Sequence, residues 1–285
     1  MSWRRGNPSP RSAWGRAWGL RQTQVGGLLL VITLLVVAVG PLLAPHSGTA
    51  FVEIPFAKPS ESAWLGTDQL GRDVLSRTLY GGWSVVWMSA LAGTAGVVCG
   101  ALLGILAGYA GGRLDAIVMR LADVVLAFPQ LVLILVVVSM IGGSPMLIVA
   151  LTGVAWIPGV ARVMRGATLA LSGREFIQSA EALGYRRSNV LLDELLPNLT
   201  APLLVELGLR ISWSIAVIAA ASFLGVGVQP PAADWGLMIN ENRGGVALQP
   251  WGVVAPTLCI AIFAIGANLV AEGFSRALLR TGSTV

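Results

Sequence analysis

The 285-residue chain is 55% hydrophobic, carries a formal net charge of +5 and is only 12% charged, about half the charged share of an ordinary soluble domain. With a mean hydropathy of +0.76, this composition excludes a soluble globular protein and indicates an integral membrane protein. The positive charge does not signal nucleic-acid binding, because its placement follows the membrane topology set out below.

The chain opens with a tail, residues 1–24, that holds Arg4, Arg5, Arg11, Arg16 and Arg21, no acid, and Pro8 and Pro10. It reads as a surface-lying or disordered segment. A bilayer core about 30 Å thick needs roughly 20 apolar helical residues to cross it, and residues 25–44 meet that length without a charge. This run is too long for a signal-peptide core and lacks a clean small-residue cleavage site after it, so it reads as an uncleaved first span. A loop follows at 45–80, then an uncharged second span at 78–112. The uncharged stretch 124–161 is broken by "GGSP" at 142–145 and reads as two spans. Residues 211–233 form a fifth, with its helix starting near Thr200, and 244–271 a sixth. The runs are apolar on all sides, unlike the alternating segments of barrels, and backbone in lipid must satisfy itself, so the spans are helices.

Basic residues favour the cytoplasmic side. With the N-terminal tail inside, its five arginines join Arg113 and Arg120, then Arg162, Arg165, Arg174, Arg186 and Arg187, and finally Arg276 and Arg280. Outside lie Lys58, Arg72, Arg77 and Arg243. Both termini are therefore expected in the cytoplasm. Trp64, Trp83, Trp235 and Trp251 then fall near the outer interface, and Trp14 and Trp18 near the inner one, where amphipathic rings settle.

Cys99 and Cys259 fall inside spans, give no disulfide or metal framework, and read as small buried hydrophobes. The lone histidine, His46, reads as a solvated loop residue. Gly93, Gly96, Gly100, Gly104 and Gly108 recur every three or four positions and read as a smooth packing face. In the first loop, Asp68 and Asp73 read as acceptors of backbone N–H groups, with contact to a partner protein as the functional alternative. Glu206 and Arg210 stand at i,i+4. They form an ion pair facing the bundle interior near a translocation pathway, or else snorkel to the headgroups. Arg120 and Asp123 carry the same two readings.

The segment 166–199 is polar between apolar neighbours. Phe176, Ile177, Ala180 and Leu183, then Val190, Leu191, Leu195 and Leu196, recur at mainly three- and four-residue spacing, which predicts two short amphipathic helices. Gly184 supplies the turn between them, Ser188 and Asn189 can cap the second, and Pro197 ends it. On pattern alone the segment is equally an ordinary interfacial loop.

At these residues the chain resembles the permease subunits of binding-protein-dependent ABC importers. Their cytoplasmic motif is Glu-Ala-Ala, three residues, Gly, nine residues, then a hydrophobic stretch ending in Leu-Pro. Here Gln178, Ser179 and Ala180 take the first places, Gly184 the glycine, and Leu196 and Pro197 the end. Gln178 and Ser179 depart from Glu and Ala, which raises whether they alter ATPase coupling. "WLGTDQLGRDVLSRTLYGG" (64–82), "GYAGGRLD" (108–115), "RLADVVLAFPQLVL" (120–133), "SFLGVGVQPPAADWGLMI" (222–239) and a last span with Asn268, Glu272 and Gly273 are similar to the C-type permeases of the dipeptide, oligopeptide and nickel subfamily.

The resemblance implies an all-α polytopic membrane protein with six transmembrane helices in the type I ABC importer permease fold, its core at 81–280. It implies that Gln178, Ser179, Ala180, Glu181, Ala182, Leu183, Gly184, Tyr185, Leu196 and Pro197 dock on an ATPase. The implied partners are a second permease, two cytoplasmic ATPase subunits and an extracytoplasmic substrate-binding protein. The implied cargo is dipeptides or oligopeptides, the subfamily also handling nickel chelates and haem. The chain lacks G-x-x-x-x-G-K-[ST] and a credible nucleophile–base pair, so it is expected to bind no cofactor and catalyse no reaction, with ATP used by the partner subunits. A stand-alone secondary transporter or channel is the competing class.

Overall fold

The computed structural model describes residue 15 and residues 17–279, and among these no named β-strand occurs, only two isolated bridges (Phe51 with Arg72, Thr67 with Asp73). Arg4, Arg5, Arg11, Trp14, Arg16 and Arg280, used in the topology argument, lie outside the described residues. The helices in chain order are α1 (Arg21–Leu43), α2 (Val74–Tyr80), α3 (Gly82–Ala110), α4 (Gly112–Leu126), α5 (Gln130–Ile141), α6 (Pro145–Ser172) and α7 (Glu175–Ala182). They continue with α8 (Leu196–Phe223), α9 (Trp235–Asn242) and α10 (Trp251–Leu279). Five long apolar helical segments, α1, α2–α3, α6, the stretch Arg187–Phe223 and α10, can each cross a bilayer, and α4 with α5 makes a sixth crossing bent by 79°.

Close contacts fix the direction of each crossing. The start of α1 lies beside the end of α10, where a Cβ on Gly273 would collide with Thr23. The end of α1 lies beside α2 and the start of α3, through Gly40 against Leu79 and Gly82 against Val37. Both α3 and α6 then run back, parallel to each other, toward α7. The start of α1, the end of α10 and α7 therefore share one end of the bundle, and the loops 44–73, 142–144 and 224–250 share the other.

The glycines of α3 form a long, close seam. An added Cβ would come to 2.8 Å of Ile211 at Gly93, 2.7 Å of the Gly153 carbonyl at Gly96, 2.7 Å of Val160 at Gly100, 2.3 Å of the Ala161 carbonyl at Gly104 and 2.9 Å of the Arg165 carbonyl at Gly108. Four of the five face α6. Without a hydrophobic drive between helices in lipid, backbone approach through small residues supplies the packing energy. The periodic glycines are a packing face, as their spacing predicts.

The far end is closed by buried charge. The Arg72 guanidinium pairs with Asp68 at 2.6 Å and with Glu241 at 3.1 Å, and Arg77 pairs with Glu241 at 2.8 Å. Asp68 also accepts from the Leu70 and Arg72 backbone N–H groups, and Asp73 caps α2 through Leu75 and Ser76. The backbone-acceptor reading of both acids holds. For Asp68 the burial in one network with Glu241 of α9 exceeds it, because the loop folds back on a helix that the sequence places far away.

Several expectations need correction. "GGSP" does separate the third and fourth crossings, between Ile141 and Pro145, but the third crossing has a further, unexpected break at 127–129. Pro129 has no N–H to continue the helix and pushes Phe128 away from helical geometry, so α4 and α5 separate there. Pro197 ends no helix: a helical turn at Arg187–Asn189 and a π-helical turn at Val190–Leu195 run on into α8. The wide π turn leaves room for the proline ring that would strike a regular α-turn. Ser188 and Asn189 cap nothing, the Ser188 hydroxyl donating instead to Asn189 Oδ1 at 3.3 Å. Trp235 is fully buried, its Nε1 donating to the Thr78 carbonyl at 2.8 Å, so it is a core residue and not an interface anchor. Cys99 is exposed on α3, and only Cys259 is partly covered.

Gly104→Ala is expected to lower the melting temperature of the purified subunit in detergent, with an overpacking cost of about 1–3 kcal/mol. Gly166→Ala, at a helical glycine with nothing within 4 Å of the added Cβ, should leave it unchanged or slightly raised.

Candidate functional site

Helix α7 is amphipathic, and its apolar stripe points into the bundle. Ile177 and Ala180, three residues apart, are buried against Ile105 of α3, Met164 of α6 and Val190, Leu195 and Leu199 of the following segment. Fully burying a residue such as Ile177 is worth about 1.5–3 kcal/mol. A hydrogen bond adds to this anchor: the Tyr109 hydroxyl at the end of α3 donates to Glu181 Oε1 at 2.8 Å.

Gly184 ends α7 with φ at +80°. The Gly184 N–H donates to the Glu181 carbonyl at 3.0 Å and the Tyr185 N–H to the Ala180 carbonyl at 3.1 Å. These are the two bonds of a Schellman motif, which requires a left-handed residue where glycine sits. The chain is thereby turned back so that Val190 and Leu195 reach the same apolar cluster. The predicted pair of short helical pieces around Gly184 is present.

The other face of this knob is turned outward. Gln178, Ser179, Glu181, Ala182, Leu183, Gly184 and Tyr185 are exposed, as are Leu196 and Pro197, whereas Ala180 is buried. Phe176, Leu183, Tyr185 and Leu192 leave large apolar side chains in solvent at one end of the bundle. Gln178 and Ser179 lie on this outer face, and Ser179 borders a shallow groove with Gly173, Arg174, Glu175 and Phe176. Sequence reasoning missed Tyr109 as the anchor of Glu181, because nothing in the pattern near Tyr109 points to a residue so far along the chain. It also missed Leu192, which the π turn swings outward.

Glu206 and Arg210 do pair. Arg210 Nε and Nη2 donate to Glu206 Oε2 at 3.0 and 2.8 Å. The guanidinium lies 5.2 Å from the centre of the Trp156 ring on α6, close enough for a cation–π contact. Trp156 Nε1 donates to Ser214 Oγ at 2.8 Å, and that hydroxyl donates to the Arg210 carbonyl at 2.7 Å. Glu206 is buried. The pair faces neighbouring helices, not the headgroups. Asp123 pairs with Arg162, and Asp115 with Arg165, so Asp123 finds its partner across helices and not in Arg120. Among the described residues no cluster of His, Cys, Asp or Glu could hold a metal ion.

The family model described as "Binding-protein-dependent transport system inner membrane component" matches residues 100–281. The glutathione transport system permease protein GsiD of Pectobacterium atrosepticum is 34% identical over 276 residues, covering 95% of this chain and 92% of the relative. The dipeptide transport system permease protein DppC of Bacillus subtilis is 31% identical over 274 residues, covering 94% and 84%. Among solved structures, a chain of the MetNI methionine ABC transporter in inward-facing conformations aligns with a TM-score of 0.56 at 17% identity, covering 71% of this chain and 96% of that one. At that identity the likeness speaks for the fold alone.

Glu206→Ala is expected to destabilise the subunit, by at most about 3 kcal/mol, because the partly buried Arg210 is left without its carboxylate. Glu206→Ala combined with Arg210→Met should recover most of the loss in thermal unfolding. A pathway role for Glu206 requires transport to stay impaired in that double variant after stability has returned.

Proposed function

The chain belongs to the family of inner-membrane components of binding-protein-dependent transport systems, and from that premise we propose how it works as an importer permease. It forms one half of a translocation path with a second, homologous permease. Of the two cytoplasmic ATPase subunits, one docks on the knob at 176–199, and an extracytoplasmic binding protein delivers the cargo to the opposite end. ATP is bound and hydrolysed in the ATPase subunits. Both termini and the knob face the cytoplasm, the side that receives most of the arginines.

The observation that carries this reading is the two-faced knob. Its inner face is fastened to the spans through Ile177, Ala180 and the Tyr109–Glu181 bond, so a force on it reaches α3 and α6. Its outer face offers Phe176, Leu183 and Tyr185, which suit an apolar groove on a partner. A stand-alone channel or secondary transporter has no use for such a lever. The cargo is short peptides, dipeptides or oligopeptides and the tripeptide glutathione, a class supported by the names of the relatives.

In a preparation tagged on this chain, wild type is expected to bring down ATPase subunits in fixed ratio, and Gly184→Pro to lose them while the subunit stays in the membrane. Proline cannot adopt the positive φ at this turn. Stoichiometric ATPase in the Gly184→Pro preparation would count against the docking assignment. Deleting the gene should abolish uptake of labelled dipeptide or glutathione; uptake of both at the wild-type rate would overturn the peptide cargo.

A further inference from the structure

Helices α3, α4 and α6 leave an open slot between them. Leu103 of α3, Val118, Leu121 and Ala122 of α4, and Pro158 and Ala161 of α6 line a cavity of about 180 Å³ whose lining side chains are all apolar. Apolar cavities of roughly this size stay dry and take up hydrocarbon. The slot is a seat for a hydrocarbon segment, not for a charged peptide. Two ion pairs stand at one end of it. Asp123 and Arg162, which pair, directly follow Ala122 and Ala161 of the lining. Asp115, three residues before Val118, pairs with Arg165, four residues after Ala161, and such spacings keep a residue on one helix face.

The depth of this end follows from α6. Arg162 comes 17 residues after Pro145, the first residue of the helix, or roughly 26 Å at a rise of 1.5 Å per residue. The hydrocarbon core is about 30 Å thick. The guanidinium therefore sits at the inner headgroup level, with the other cytoplasmic arginines, and the slot opens beside it on the hydrocarbon side. The Asp123 and Arg162 side chains are 63% and 49% exposed, so both are open to headgroups. As a unit the pair is neutral. It presents a cation and an anion side by side, which complements a headgroup that carries both signs.

We propose that this slot binds one phospholipid of the inner leaflet, phosphatidylethanolamine, with an acyl chain against Leu121, Ala122 and Pro158 and the headgroup on the Asp123–Arg162 pair. Arg162 donates to the phosphate, whose oxygens suit a guanidinium fork, and Asp123 accepts from the primary ammonium. The lipid fills the gap between α4 and α6, which no glycine seam closes. The inference goes beyond the importer reading and does not depend on the cargo.

The test uses the intact complex, tagged on this chain, purified from native membranes and delipidated in detergent. It is titrated with phosphatidylethanolamine, phosphatidylcholine and phosphatidylglycerol of identical acyl chains, and bound lipid is counted by native mass spectrometry. Phosphatidylethanolamine should bind at least about tenfold tighter than phosphatidylcholine, whose quaternary ammonium has no N–H to donate, as expected for one charge-assisted hydrogen bond. Asp123→Asn should abolish that preference, and Asp123→Glu, which keeps the charge, should retain it. Leu121→Trp, a bulky group at an exposed lining position, should weaken all three lipids alike. Equal affinity for the ethanolamine and choline lipids, or a preference unchanged in Asp123→Asn, would overturn the headgroup assignment. Tighter binding of phosphatidylglycerol would overturn it in favour of Arg162 with the exposed Arg120. Binding unchanged in Leu121→Trp would overturn the slot as the seat, and no bound lipid at all would leave the slot to the second permease.

Discussion

The most extensive helix–helix contact among the described residues is the seam between α3 and α6. Membrane helices gain little from leaving lipid for one another, so they need contact at short range. The α3 glycines provide it by letting the backbone of α6 come within reach of the α3 backbone over most of its length. Much of the site depends on that seam. Helix α6 carries Trp156, Arg162 and Arg165, and it leads directly into α7. The end of α3 supplies Tyr109, which holds Glu181. A side chain at Gly104 would disturb both walls of the apolar cluster on which the knob sits.

The two ends of the bundle are built by different physics. At the end away from the knob, Asp68, Arg72, Arg77 and Glu241 are desolvated together and satisfy one another, which ties the first loop to α9. Breaking such a network strands a buried charge, so this end resists rearrangement. At the knob end the anchor is one short apolar stripe and one hydrogen bond, while most polar side chains remain in solvent. The π turn at Val190–Leu195 adds a weak point in the helix that leads into α8. A stiff end opposite a lightly fastened lever suits a subunit that must transmit motion from one face.

The bent crossing has fewer constraints than the rest. Helices α4 and α5 lie at the edge of the bundle, with Leu121, Val124, Val132 and Val136 exposed. Their attachment on the knob side includes the ion pairs from Asp115 and Asp123 to α6. Such pairs can exchange partners with water or with a charged solute more readily than a glycine seam can reopen, because no close backbone contact must be broken.

The sequence by itself determined the membrane class, the number of crossings, the packing role of the glycines and the turn at Gly184. Each follows from a local or periodic property: the length of an apolar run, the spacing of small residues, or a residue type suited to positive φ. The ion pair between Glu206 and Arg210 was legible for the same reason, since i,i+4 positions meet on any helix. Only the tertiary structure decided that Trp235 is core, that Asp123 belongs to Arg162, that Tyr109 holds Glu181 and that Asp68 reaches Glu241 through two arginines. Those contacts join residues far apart in the chain, and their partners are chosen by how the helices pack. The helix running through Pro197 belongs to this second group, because the π turn that makes room for the ring is set where Val190 and Leu195 must both reach one apolar cluster.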